Sequence, residues 1–143
     1  MPLAAPTRWQ PPLLHSQRLR AALGLPHLSI KSDSLNPTGS LKDRASAVAL
    51  ARAAELGAKR VAVASTANAD SSLAGLAASM GIPGAIFVPA PAPRAKLVQA
   101  LMYGADVFAV QGSYDDAFQL RLQACEHCLC VYGTRKWVLP LFW

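Results

Sequence analysis

At 143 residues, 52% hydrophobic and 15% charged, the chain is the size of one domain and too apolar for a disordered tail. No uninterrupted apolar stretch approaches the roughly 18 to 20 residues that cross a bilayer, which argues against a transmembrane helix. Fourteen Lys and Arg against eight Asp and Glu give a net charge of +6, but aromatics are only 7% and do not alternate with the basic residues, so a stacking platform for nucleic acid is not expected.

The first 27 residues carry Pro2, Pro6, Pro11, Pro12 and Pro26 and read as an extended arm with one short helix near Leu19 to Leu23. Next comes Asn36-Pro37-Thr38-Gly39-Ser40-Leu41-Lys42-Asp43-Arg44. Pro37 and Gly39 make a turn there, and Ser40 with Asp43 has the spacing of a capping box opening a helix that runs to Leu56. Beyond it the chain is rhythmic. Helices end at Gly57, Gly81 and Gly104, each placed as a left-handed cap. A short apolar run follows each: Val61 to Ser65, Ala85 to Val88 and Val107 to Val110. These runs lack alternation, as expected of strands buried on both faces. Leu73, Leu76, Ala77 and Met80 follow helical spacing, as do Leu97, Val98, Leu101 and Met102. Tyr114, Phe118 and Leu122 form a third stripe behind a Ser113–Asp116 capping box.

Strand and helix alternating in this way predict an α/β fold with a parallel sheet, flanking helices and right-handed crossovers. The organisation expected is an arm over 1–27, an α/β region over 28–127 and a divergent tail over 128–143. Three cysteines, Cys125, Cys128 and Cys130, cluster near the end. They cannot staple a fold, and with His127 they lack the separate second ligand pair of a zinc site. Ordinary thiols, no metal and a reducing, cytoplasmic location are the expectation.

Lys42 falls in the first turn of its helix, where the positive end of the dipole disfavours an ammonium, and Arg44 adds a nearby cation. A lysine tuned this way is a nucleophile suited to Schiff-base formation with a carbonyl. The alternative is a solvated lysine at a helix start. Lys59 reads as a turn residue, Lys31 as a surface residue, and Lys96 as either a surface or a substrate-phosphate lysine.

The nine residues from Asn36 to Arg44 resemble the cofactor-lysine motif of the threonine synthase family, in the fold-type-II group of pyridoxal-phosphate enzymes. Ser65-Thr66-Ala67-Asn68 is similar to the family's Ser-Thr-Gly-Asn loop, and the likeness covers roughly residues 26 to 124. The resemblance implies an incomplete tryptophan-synthase-β-like scaffold with pyridoxal 5'-phosphate as cofactor. Lys42 would hold the cofactor as a Schiff base and then shuttle protons. Asn68 would bond the cofactor's 3′-hydroxyl, and Ser65 and Thr66, with Asn68, would hold the substrate's carboxylate. The substrate implied is O-phospho-L-homoserine, converted with water to L-threonine and phosphate by a carbon–oxygen lyase. Partners implied are a small amino-acid substrate and no membrane or nucleic acid; a homo-oligomer stays open.

Three departures from the family pattern stand out. Ala67 occupies the glycine position of the loop, where a Cβ strains the backbone if φ is positive. Asp70 is an added acid, expected to be exposed. The nine glycines never come closer than three residues apart, so no glycine-rich phosphate cradle is present. The chain therefore resembles an amino-terminal fragment, expected to be inactive alone. Alternatives are a non-catalytic α/β remnant or interaction fragment, and, within the family, a threonine or serine dehydratase or a cysteate or cysteine synthase.

Overall fold

The computed structural model describes residues 11–127, and everything below concerns those residues. Leu13–Leu14 (β1) pairs antiparallel with Ile30–Lys31 (β2), and Gln17–Leu23 (α1) lies between them. Ser16 caps α1 by accepting the Leu19 N–H at 3.2 Å. The sequence rhythm then resolves into Lys42–Glu55 (α2), Val61–Ala64 (β3), Asn68–Ser79 (α3), Gly84–Pro89 (β4), Arg94–Met102 (α4), Asp106–Val110 (β5) and Tyr114–His127 (α5). Gly57, Gly81 and Gly104 all have φ between 68° and 78°, the left-handed caps that their positions demanded.

Strands β3, β4 and β5 form one parallel sheet in that order. Period-two geometry splits their side chains between two cores. Val61, Val63, Ile86 and Val88 pack with Leu50, Leu73, Leu76, Ala77 and Ala100, beneath α2, α3 and α4. Ala62, Ala64, Ala85 and Phe87 pack against Ala117, Phe118 and Ala124 of α5 on the other face. Leu50, Leu73 and Ile86 are at most 1% exposed. Each contributes about 1.5–3 kcal/mol of apolar burial.

α3 lies in the middle of its layer, packed on α2, α4 and the sheet, which is why seven of its twelve residues are buried. A helix covered on so many sides needs small residues. Ser71, Ser72, Ala74 and Ala77 supply them.

Burial on both faces holds for β3 and β4 but not for β5, which is largely exposed. The reason is topological: β3 and β5 are both edge strands, but α5 crosses back over β3 and β4 and leaves that face of β5 largely uncovered. Phe108 stacks on Phe87 at 4.9 Å yet remains 44% exposed. Among the described residues no helix is long and apolar enough to cross a membrane. The tail over 128–143, including Cys128 and Cys130, lies outside the described residues; Cys125 is half-buried against the α5 core.

Candidate active site

The segment from Asn36 to Arg44 closes on itself through its own polar groups. The Asn36 side-chain amide donates to the Ser40 carbonyl at 2.9 Å. Thr38 donates its N–H to Asp43 Oδ2 at 2.7 Å and its hydroxyl to Asp43 Oδ1. Ser40 Oγ accepts the Lys42 N–H at 3.1 Å. Arg44 pairs with Asp33, so its charge is directed at that carboxylate.

The capping box expected between Ser40 and Asp43 therefore takes another form. Ser40 caps at Lys42 N–H, and the Asp43 carboxylate reaches back to Thr38. At the turn Gly39 has φ +73°, and the Thr38 N–H and hydroxyl beside it both reach that carboxylate. Among the described residues, the Lys42 ε-amino group is the one charged group of the segment with no hydrogen-bond or ion-pair partner. Lys42 is half-buried at the first residue of α2.

The second segment sits at the carboxyl end of β3, the edge where ligands bind in parallel sheets. Ser65 is buried, its N–H donating to the Phe87 carbonyl at 3.2 Å and its Oγ accepting the Ala67 N–H at 3.2 Å. Thr66 is half-buried, and Asn68 is exposed as the first residue of α3. Ala67 is the N-cap and brings no side-chain acceptor, so the positive end of α3 has no capping anion from its own cap residue.

Two expectations about this loop are overturned. Ala67 has φ −137°, an extended backbone that any residue adopts, so its Cβ carries no strain. Asp70 is fully buried rather than exposed, and its Oδ1 accepts the Ser71 N–H at 2.7 Å. The packing of α3 on three sides covers Asp70 although it lies in the first turn.

The two segments meet through their helices. Ser72 Oγ lies 2.8 Å from Ser46 Oγ across the α2–α3 contact, with both side chains buried. Gly75 of α3 faces Thr38. Asp43, Ser46, Leu50 and Ala53 form the buried stripe of α2. Sequence reasoning missed the part played by Asp43 and Ser46, although two polar residues in register with Leu50 and Ala53 were the visible signal. Lys31 and Lys59 are exposed and lie apart from this contact, and Lys96 falls in α4.

A family model for pyridoxal-phosphate dependent enzymes matches residues 4–139, further in both directions than the 26–124 over which the motifs run. The chain belongs to this family. Its cofactor is pyridoxal 5'-phosphate. Among curated relatives, the threonine synthase of Methanosarcina acetivorans is 42% identical over 116 residues, and that of Methanocaldococcus jannaschii 40% over 119. Those matches cover 80% and 82% of this chain but only 29% of either relative, so the chain spans less than a third of their length. Among solved structures, serine racemase from Dictyostelium discoideum superposes with a TM-score of 0.74 at 26% identity, covering 84% of this chain and 39% of that one. Threonine deaminase isoform 2 from Solanum lycopersicum gives 0.71 at 24% identity, covering 82% and 32%. The fold is the fold-type-II scaffold of this family.

Lys42 thus stands half-buried at the first residue of α2, and the Asn68 amide stands exposed at the first residue of α3.

Proposed function

We propose that this chain carries the lysine-bearing portion of a threonine synthase-type enzyme acting on O-phospho-L-homoserine. The observation that supports it is the closed segment from Asn36 to Arg44, in which the other polar side chains are bonded within the segment or, for Arg44, to Asp33, and Lys42 is left to act. On this reading Lys42 binds pyridoxal phosphate and moves protons at the substrate's carbons through its ε-amino group. Asn68 orients the ring from the start of α3. Ser65 and Thr66 hold the substrate carboxylate at the carboxyl end of β3, next to the positive end of α3. The cofactor, when bound, supplies the electron sink for charge developing beside the α carbon.

Identity near 40% to threonine synthases, over most of this chain, favours that substrate over the serine and threonine of dehydratase-like relatives. With no glycine-rich cradle in the sequence, the chain is expected to hold cofactor weakly and to release no phosphate from O-phospho-L-homoserine above a Lys42→Ala control. The substrate assignment is tested by titrating the cofactor-loaded chain with O-phospho-L-homoserine, L-serine and L-threonine while following its visible absorbance. A response at the lowest concentration to O-phospho-L-homoserine is expected. A first response to serine or threonine points to the dehydratase-like reading.

A further inference from the structure

We propose that Asp43 is a positioning residue for Lys42, acting through Thr38, and that this pair fixes the lysine relative to α3. The proposal rests on the reading of Lys42 as the cofactor amine.

Asp43 is a carboxylate with no exposed surface, in the first turn of α2. Burying such a group is costly unless its oxygens are bonded. Both oxygens accept from one residue: Oδ2 from the Thr38 N–H and Oδ1 from the Thr38 hydroxyl. The carboxylate meets both donors at once, whereas an amide keeps both contacts only if the Thr38 hydroxyl turns round to accept. The site also lies at the positive end of α2, where a negative side chain is favoured.

The consequence concerns the neighbouring residue. Lys42 is held on one side by its N–H bond to Ser40 Oγ, and on the other by Asp43, fastened to Thr38. Thr38 in turn abuts α3. A Cβ built on Gly75 would lie 2.8 Å from Thr38 Cγ2, so loop and helix approach more closely than a Cβ there would allow. α3 carries Asn68 at its start. Asp43 thus ties the lysine-bearing turn to the helix that bears the second segment. The loop has other closures, namely Asn36 to the Ser40 carbonyl and Arg44 to Asp33. Of these three closures, the Asp43–Thr38 pair is the one whose threonine abuts Gly75 of α3; further along α2, the Ser46–Ser72 pair joins the same two helices.

The test uses the 143-residue chain with pyridoxal phosphate, trapped by brief borohydride pulses across a pH series. Labelled lysines are quantified by peptide mass mapping, with the exposed Lys31 and Lys59 as internal references. In the unchanged protein Lys42 is expected to label fastest. Asp43→Asn and Thr38→Val should lower its rate relative to Lys59 by roughly ten- to a hundredfold, the scale of losing orientation. Thr38→Ser keeps both donors and should retain the preference. Where Asp43→Asn does not fold, Thr38→Val decides, because it keeps the shape and removes only the hydroxyl. A preference for Lys42 that survives Thr38→Val and Asp43→Asn, while thermal stability falls, overturns the positioning role and leaves a structural one. Equal labelling of Lys42, Lys31 and Lys59 in the unchanged protein overturns the reading of Lys42 itself, and the proposal with it.

Discussion

Gly75 of α3 faces Thr38 so closely that a Cβ at Gly75 would stand 2.8 Å from the threonine methyl, and 3.2 and 3.3 Å from atoms of the Tyr103 ring. The methyl cannot swing aside freely, because the Thr38 hydroxyl is fixed on Asp43. Helix, loop and lysine segment are therefore fitted to one another at a single small residue. Gly75→Ala is expected to destabilise the chain by about 1–3 kcal/mol, the usual cost of overpacking. Adding Thr38→Ser, which deletes the methyl, should recover part of that loss. Denaturant midpoints of the two variants check this, and an unchanged midpoint in Gly75→Ala would contradict the close fit.

The α2–α3 contact carries a buried hydroxyl pair, Ser46 and Ser72, at 2.8 Å. Removing one hydroxyl strands the other without its protein partner. Ser46→Ala or Ser72→Ala alone should cost about 1–3 kcal/mol. The double alanine variant should cost less than the sum of the two. A double-mutant cycle by thermal or chemical denaturation measures the coupling. Simple additivity would show that the two hydroxyls do not depend on each other.

Ala67 needs no glycine conformation, since its φ is −137°. Replacing it by glycine only enlarges the conformational freedom of the unfolded chain. Ala67→Gly is expected to lower stability by about 0.4–1 kcal/mol. It should not improve cofactor binding. A tighter visible titration with pyridoxal phosphate in Ala67→Gly would show that the loop wants a backbone the alanine denies it.

At the start of α5, Ser113 and Asp116 form a reciprocal cap. The Ser113 N–H and hydroxyl both donate to Asp116 Oδ2 at 2.7 Å, and Ser113 Oγ accepts the Asp116 N–H at 3.2 Å. The backbone N–H of Ser113, then its hydroxyl, hold the Asp116 carboxyl below its ordinary range. Because the folded value is the lower one, the cap's contribution is complete above the ordinary carboxylate range. It is lost as pH falls through the lowered value. The melting-temperature gap between the unchanged chain and Asp116→Asn should be full at neutral pH and close in acid. A gap that does not change with pH would contradict this origin.

How much of this was legible in the sequence depended on range. The glycine caps at 57, 81 and 104, the three strands and the Ser113–Asp116 cap are local, and their residues announce them. The exposure of β5 was not legible, because it depends on where α5 lands after the chain has left the strand. The pairing of β1 with β2 joins residues 16 and 18 positions apart that carry no alternation, Leu14 opposite Ile30 and Leu13 opposite Lys31. Burial of Asp43 and Asp70 goes against the usual placement of carboxylates. Asp43 is explained by donors five residues away in a turn whose path Gly39 sets. At the site, the nine-residue motif points to Lys42, while the contact of its turn with α3 at Gly75 depends on how the helices pack.

The central claim is that this closed turn presents Lys42 as the amine that binds pyridoxal phosphate. The most direct measurement is a titration of the chain with pyridoxal phosphate, read at the visible band of the lysine-bound cofactor, for the unchanged protein, Lys42→Ala and Lys59→Ala. The account predicts that the band forms in the unchanged chain and in Lys59→Ala and is lost in Lys42→Ala. A band of equal strength in Lys42→Ala would contradict it.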